Sequence, residues 1–322
     1  MLRRHLLAAA PLLCAPAFTL AQRGYPDHAI KAIVPNAPGS SVDTIGRVVC
    51  AEMARVLGQP FVVDNRAGAA GAIGVEVARA AAPDGYTVLV GSSSAISVAP
   101  FLQKAVSYQP LRDFDLVTLL ALLPNVLVCN TALPVQSVAQ LVAWAKARGG
   151  TSNMASAGVG SVSHLAGVAF QSAGNFKSLH VPYKGGAQGV ASVVSGETDW
   201  VLTPAPAAMS LVAAGRLRLL GHSMAASAQP LGAAVPAIGS ELNGFEFASW
   251  IGLMAPKGLP PATSEVLARA AATALQRPEV LKAFETNGAS PHASTVEEFR
   301  AHLTRDMEAN RRAIAAAGIQ PE

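Results

Sequence analysis

Two segments of the sequence place glycine and serine directly before a stretch with helical periodicity. The first is residues 35–43 (PNAPGSSVD), and the second is residues 156–164 (SAGVGSVSH). In both, glycine permits unusual backbone angles and serine can cap the helix that follows. The N–H groups of a first helical turn lack intrahelical partners, and the helix dipole favours an anion beside them. Both segments therefore predict anion binding. An ordinary capped turn is the alternative for the first, and a His164 that only hydrogen-bonds its own loop is the alternative for the second.

Hydroxyl groups also occur where two further strands are predicted to end. Ser92 and Ser93 follow the third predicted strand, and Thr203 ends a later one before a proline. Ligands of open α/β sheets bind at the carboxyl ends of strands, so these residues are expected to face the same cleft. Serine and threonine are also common in plain turns, and a structural role is the alternative.

The sequence contains few patterns that are typical of catalytic or metal-binding sites. It has no Gly-x-Ser-x-Gly motif, no Cys-x-x-Cys motif and no pair of histidines four residues apart. The second segment superficially resembles a dinucleotide fingerprint, but Ser163 stands at the third glycine position and no acidic partner follows. We therefore predict no catalytic residue, no metal, no cofactor and no enzymatic activity. A hydrolase of the cell envelope that uses Ser161 or Ser40 is the alternative, without the sequence context of a known triad.

The composition suits a large soluble fold. Of the 322 residues, 51% are hydrophobic, 14% are charged and 5% are aromatic, which excludes disorder and leaves enough chain for two lobes. The scarcity of aromatic residues argues against stacking platforms for single-stranded nucleic acid. The formal charge of +4 is scattered along the chain, so no nucleic-acid partner is predicted.

Residues 1–21 are predicted to be a cleaved export signal. Arg3 and Arg4 precede an apolar run that is too short to span a membrane, and a small-x-small motif ends the segment. The expected export route is the Sec pathway or, because of a weak match at the two arginines, the twin-arginine pathway. The alternative to a cleaved signal is an uncleaved membrane anchor. We therefore expect a periplasmic protein. After cleavage Cys50 and Cys129 remain, and we expect buried free thiols rather than a disulfide.

Periodicity predicts two successive α/β units. The first alternates strand and helix, and the second repeats this style between residues 126 and 222. The elements of the first unit are residues 30–34, 42–57, 61–64, 70–81 and 86–90. Residues 120–124 and 249–252 are candidate crossings between the units, which assigns residues 22–122 with 251–322 to one lobe and residues 123–250 to the other. The expected fold class is α/β with two lobes, mixed and parallel sheets flanked by helices, and two crossing strands as a hinge.

Several motifs, taken together, resemble a known family. They are Tyr25-Pro26, residues 35–43, Val63-Asp64-Asn65-Arg66, Pro83-Asp84-Gly85-Tyr86-Thr87, Gly160-Ser161-x-Ser163-His164, His180-Val181-Pro182-Tyr183-Lys184-Gly185 and Trp250-x-Gly252. In this order the chain resembles the Bug-type substrate-binding proteins of tripartite tricarboxylate transporters. The resemblance covers essentially the whole mature chain.

This resemblance implies a type II periplasmic-binding-protein fold. It implies a small carboxylate held largely by backbone N–H groups and bridging water, and delivery of that ligand to integral membrane permease subunits. We expect a monomer, and presentation of the closed form to a signalling receptor is the alternative output. With the hydroxyl residues above, the expected contact residues are Ala37, Gly39, Ser40, Ser41, Asp43, Ser92, Ser93, Ala157, Gly158, Gly160, Ser161, His164 and Thr203.

Five positions depart from the family pattern, and two of them are Val42, where a threonine is common, and Val168, where an acidic residue is usual. Ser40 and Ser41 stand where the family usually has glycines, and Thr203 stands where an aspartate is often found. In relatives that aspartate can meet an amino group of the ligand, so its replacement argues against an amino-acid ligand. The identity of the carboxylate stays open.

Overall fold

The computed structural model describes residues 24–225, 231–232, 234–243, 245–316 and 318–321, and the predicted export signal lies outside these ranges. The strands are β1 (Ile30–Val34), β2 (Phe61–Asn65), β3 (Thr87–Ser92), β4 (Phe114–Asn130), β5 (Asn153–Ser156), β6 (Leu179–Pro182), β7 (Trp200–Pro204), β8 (Leu217–His222), β9 (Ala248–Pro256) and β10 (Ser290–Pro291). The helices are α1 (Ser41–Leu57), α2 (Ala72–Arg79), α3 (Ala99–Leu102), α4 (Pro110–Asp113), α5 (Val138–Ala147), α6 (Val162–Gly174), α7 (Gly186–Ser195), α8 (Met209–Ala213), α9 (Ile238–Glu241), α10 (Pro261–Leu275), α11 (Pro278–Thr286) and α12 (Val296–Ala316). A π-helical turn (Ser94–Val98) follows β3.

The strands form one mixed sheet in the order β2-β1-β3-β9-β4-β7-β5-β6, and β8 and β10 also pair with β4. β1 is parallel to β2 and β3, and β5 is parallel to β6 and β7. Between these two parallel groups lie β9 and β4, which pair antiparallel with each other. The predicted class, a mixed α/β sheet flanked by helices, is confirmed.

β4 joins the two parallel groups. Its first part pairs with β9, and its last part, from Asn125 onward, pairs with β7 and β8. The sequence predicts a strand only over residues 126–129, and it treats residues 120–124 as a connection. The structure places that connection in antiparallel pairing with β9, with a register shift between Leu119 and Ala121 and with Leu122 opposite Trp250. Nearly every residue of β4 is buried, so the alternation that marks a half-exposed strand is missing from its sequence.

Helices cover both faces of the sheet around β1 and β3. On one face α1 and α10 pack together, with Ile45 and Leu267 fully buried in the shared core. On the other face α2 and α12 contribute Val75 and Phe299. No helix in the described part of the chain is long and apolar enough to cross a bilayer.

The group around β5 and β7 has its own core. The rings of Phe170 on α6 and Trp200 on β7 meet edge to face with 5.4 Å between their centroids. Cys129 belongs to this core and Cys50 to the one beneath α1. Both thiols are buried and free, as predicted.

A small apolar cluster links the segment after β3 to the start of α6. Val98 and Leu102 pack there with Val162 and Leu165, and Ile314 of α12 completes the cluster. This packing holds the π-helical turn close to α6.

Candidate ligand-binding site

The start of α1 is a capped turn that leaves backbone donors available. Gly39 has a left-handed φ of 77°, and the Ser40 hydroxyl accepts a hydrogen bond from the Asp43 N–H at 3.3 Å. The N–H groups of Ser41 and Val42 lie in the first helical turn, where no intrahelical carbonyl is available. The positive end of α1 therefore offers two backbone donors.

Asp43 fixes this turn through its carboxylate. It accepts hydrogen bonds from the Gly39 N–H at 2.9 Å, from Arg47 Nε at 2.8 Å and from Asn65 Nδ2 at 2.9 Å. Burial alone would raise the pKa of Asp43, but these hydrogen bonds and the Arg47 charge outweigh it and lower that pKa. The Asp43 carboxylate is therefore committed to the protein and positions the loop.

The start of α6 repeats this construction. The Ser161 hydroxyl accepts a hydrogen bond from the His164 N–H at 3.3 Å and donates one to the Gly158 carbonyl at 2.7 Å. The Ser163 hydroxyl accepts the Ala157 N–H at 2.8 Å, so that backbone donor is already used. The N–H of Ser163 itself lies in the first helical turn, where no intrahelical carbonyl is available.

His164 supports the second loop as Asp43 supports the first. Its Nδ1 accepts the Gly160 N–H at 3.2 Å, and its ring stacks on that of His180 with 3.9 Å between centroids. Burial, and to a smaller extent the His180 ring, lower the pKa of His164 to about 4. A neutral imidazole at His164 therefore shapes the glycine turn, because only the neutral ring has an acceptor nitrogen.

Near the helix starts, serine side chains from one parallel group contact backbone groups of the other. The Ser94 hydroxyl, in the π-helical turn after β3, accepts a hydrogen bond from the Val162 N–H at 3.0 Å. The Ser41 hydroxyl lies 3.5 Å from the Pro204 carbonyl at the end of β7. The starts of α1 and α6 thus contribute to the walls of one cavity.

This inner cavity has a volume of about 50 Å³. Its apolar wall includes Val42, Leu123, Val162 and Trp250. Its polar wall combines the amide of Asn36 with residues that carry hydroxyl groups, namely Ser40, Ser41, Ser92, Ser93, Ser94, Ser161, Ser163, Thr203 and Ser249. No described residue that lines it carries a charge, so an anion here would be held by neutral donors and helix dipoles.

A larger cleft of about 450 Å³ adjoins the inner cavity. The residues shared by the two spaces are Asn36, Ser40, Ser94, Ala157 and Ser161. Residues 67–71 and 183–185 form other parts of its wall. Among the residues described along this cleft, Lys184 alone is charged.

Most of the predicted contact residues line these two spaces. Those at the inner cavity are Ser40, Ser41, Ser92, Ser93, Ala157, Ser161 and Thr203, and those added at the outer cleft are Ala37 and Gly158. Gly39, Asp43, Gly160 and His164 line neither space. They form two hydrogen-bonded pairs, Gly39 with Asp43 and Gly160 with His164, that hold the loops in shape.

Sequence reasoning missed several lining residues. Asn36, Ser94 and Ser163 lie within or beside the predicted segments, so a wider selection would have included them. Ser249 and Trp250 come from β9 and reach the cavity through the pairing of β9 with β4. Trp250 belongs to a motif of the resemblance, but that motif gave it no role.

The site does not assemble an activated nucleophile. The Ser161 hydroxyl donates to a carbonyl, and Nδ1 of His164 is occupied by a backbone N–H. Ser156 lies 2.6 Å from Nε2 of His180, but Ser156 is fully buried. The described residues contain no group of three side chains that could hold a metal ion. What the geometry offers is a set of neutral donors around a small cavity.

Comparison with known families decides where the chain belongs. The model of the tripartite tricarboxylate transporter family receptor matches residues 45–319. The chain belongs to this receptor family. The match runs from within α1 to beyond the end of α12 and includes the whole second loop.

Relatives of this receptor family agree with the Bug type predicted from the sequence. Protein BugT of Bordetella pertussis is 35% identical over 287 residues, which cover 88% of this chain and 87% of BugT. A solved R. palustris protein with adipate is 28% identical with a TM-score of 0.89, over 92% of this chain and 100% of that protein. The solved periplasmic binding protein BugD is 25% identical with a TM-score of 0.86, over 92% of this chain and 100% of BugD. The family is therefore one of periplasmic receptors and not of enzymes.

Proposed function

We propose that the chain is a periplasmic receptor that captures a small carboxylate and delivers it to the membrane subunits of a tripartite transporter. The observation that carries this proposal is the convergence of two serine-capped helix starts, α1 and α6, on one cavity without a charged wall in the described chain. Such helix ends bind anions through backbone N–H groups and the helix dipole. Membership of the receptor family supports delivery to a transporter, and the adipate in a solved relative supports a carboxylate ligand.

A thermal-shift series on the mature chain tests the ligand class. Adipate and shorter dicarboxylates should raise the melting temperature with concentration, because binding to the native state stabilises it by RT ln(1 + [L]/Kd). The corresponding diamides have the same skeleton without charge and serve as the matched controls. Stabilisation by the diamides, or none by any organic acid, would contradict the proposal.

We further propose that residues 22–122 with 251–322 and residues 123–250 act as two lobes that close on the ligand. The antiparallel segment around Leu122 and Trp250 would be the hinge. A ligand that contacts both helix starts favours the closed arrangement by its differential affinity. Small-angle scattering should then show a smaller radius of gyration at saturating ligand, and an unchanged radius would exclude closure. One chain supplies both walls, so the working unit is a monomer, which sedimentation equilibrium tests.

Uptake measurements distinguish delivery to a transporter from the two alternative functions, signalling and ester hydrolysis. Cells that lack the chain should lose high-affinity uptake of the labelled ligand, and cells supplied with it should regain uptake. A signalling receptor's partner would leave uptake unchanged, and a hydrolase would convert an ester substrate in the purified state. Recovery of chemically unaltered ligand from the purified protein supports the receptor.

A further inference from the structure

Lys184 is the single charged side chain that lines the cavity and cleft in the described part of the chain. The residue is exposed. In the described structure, several arginines and Lys257 form ion pairs with carboxylates away from this cleft. Lys184 forms none of these ion pairs. An unpaired ammonium group at the edge of an otherwise neutral cleft is therefore available to a ligand.

The backbone fixes Lys184 between the two anion-binding loops. A Cβ atom placed on Gly158 would lie 3.1 Å from the Tyr183 carbonyl, so the segment before Lys184 packs on the second loop. A Cβ atom on Gly185 would lie 3.6 Å from Cβ of Ala37, so the segment after it packs on the first loop. Lys184 thus stands where both loops meet the outer cleft.

The size of the inner cavity decides which part of a ligand reaches Lys184. One water needs about 10–15 Å³ of such space, so about 50 Å³ holds little more than a carboxylate and its neighbouring carbon. The rest of the ligand must extend into the outer cleft, where Ala37, Gly158 and Lys184 are lining residues. A second anionic group at that end would form a charge-assisted hydrogen bond with the ammonium group.

We propose that Lys184 is a specificity-determining residue that pairs with a second anionic group at the distal end of the ligand. The assignment rests on the proposed function, because it assumes that the first carboxylate occupies the inner cavity. Lys184 then selects dicarboxylates over monocarboxylates with the same carbon skeleton, while the inner cavity serves both.

Calorimetric titration of acid pairs with equal chain length tests this assignment. The pairs are succinate with butyrate, glutarate with pentanoate, and adipate with hexanoate. In Lys184→Gln, affinity for the better dicarboxylates should fall about three- to fivefold, the range of an exposed ion pair, while monocarboxylate affinity stays within about twofold. Lys177→Gln is the matched control, since Lys177 is an exposed lysine just before β6 that lines neither space.

Three other results would overturn the assignment. An equal loss for both members of each pair would mean that Lys184 only attracts anions at long range. An unchanged dicarboxylate affinity in Lys184→Gln would mean that the ammonium group makes no contact. If the unmodified protein binds none of these acids, the proposed function itself fails, which the titration of the unmodified protein shows before any variant is made.

Discussion

The Ser94 hydroxyl accepts a hydrogen bond from the Val162 N–H at 3.0 Å, so a side chain after β3 caps a helix that belongs to the other parallel group. Val162 is the first residue of α6, and its N–H has no intrahelical carbonyl. The Ser94 hydroxyl thus accepts a hydrogen bond from the same N–H group that could donate to a ligand carboxylate. The bond stabilises the approach of the two groups and competes with an anion for the same donor.

Replacing Ser94 by alanine should lower the free energy of unfolding in the absence of ligand. The expected loss is about 1 kcal/mol, because the Val162 N–H loses its partner. Ser97 in the same π-helical turn is the matched control, since it is fully buried and its hydroxyl has no partner within the described residues. Ser97→Ala should leave stability unchanged or raise it, as measured by urea denaturation. Equal losses in the two variants would contradict the role of Ser94.

The lowered pKa of His164 makes stability depend on pH. Burial lowers this pKa from 6.5 to about 4, so between these values the unfolded chain binds more protons than the folded one. The contribution of neutral His164 to the free energy of unfolding is complete above about pH 6.5. It decreases as pH falls toward 4, by a total on the order of 3 kcal/mol. Urea denaturation over this pH range measures it.

His164→Asn is the matched variant for this titration, because its amide oxygen can accept the Gly160 N–H without titrating. Burial also lowers the pKa of His180, His222 and His302, so the informative quantity is the difference between the two proteins. That difference should grow as pH rises from about 4 to 6.5. A difference that is constant with pH would show that His164 does not titrate in this way.

Asp43 should affect ligand affinity without contacting the ligand. Asp43→Ala removes the acceptor of the Gly39 N–H and of two side chains, and we expect a loss of about 2 kcal/mol in stability together with weaker ligand binding. Arg47→Met keeps the bonds from Gly39 and Asn65 and should have a smaller effect on both quantities. Chemical denaturation and calorimetric titration measure the two effects. Full ligand affinity in Asp43→Ala would show that the turn does not need its support.

Thr203 and Thr198 should show opposite patterns when each is replaced by valine. Thr203 lines the inner cavity, so loss of its hydroxyl should weaken ligand binding about five- to tenfold with little change in stability. The Thr198 hydroxyl lies 2.7 Å from that of Ser192, so Thr198→Val should lower stability by about 1 kcal/mol and keep ligand affinity. If Thr203→Val binds as tightly as the unmodified protein, its hydroxyl does not reach the ligand.

Local chemistry made a large part of the molecule predictable. The Thr-x-x-Glu pattern of residues 295–298 is typical of a capping box, and it forms before α12: Glu298 Oε2 accepts the Thr295 N–H at 2.8 Å, and Thr295 Oγ1 accepts the Glu298 N–H at 3.1 Å. The helix α1 begins at Ser41, one residue before the predicted start, and Ser40, one of the two serines offered by the sequence, is its cap. These features depend on neighbours in sequence, which a single chain displays.

Features that depend on contacts between segments distant in sequence could not be predicted from the sequence. Ser249 reaches the cavity because β9 pairs with β4, with Leu123 opposite Ser249, and no local motif indicates that register. The π-helical turn that presents Ser94 lies against α6 through packing of Val98 and the nearby Leu102, which are far from α6 in sequence. The sequence predicts Asp43 and His164 as ligand contacts, whereas both line neither the cavity nor the cleft, and their positioning roles emerge only from their hydrogen-bond partners.

The position of Trp250 gives the molecule an internal optical reporter. Trp250 lines the inner cavity, and its indole donates a hydrogen bond from Nε1 to Asp306 at 2.7 Å. Of the chain's 3 tryptophans, Trp200 is enclosed in the core beside Phe170, and Trp144 lies under the Arg148 guanidinium. A ligand that enters the cavity therefore changes the surroundings of one fluorophore while the other two provide a steady background, and occupancy can be followed in unlabelled protein by its own emission.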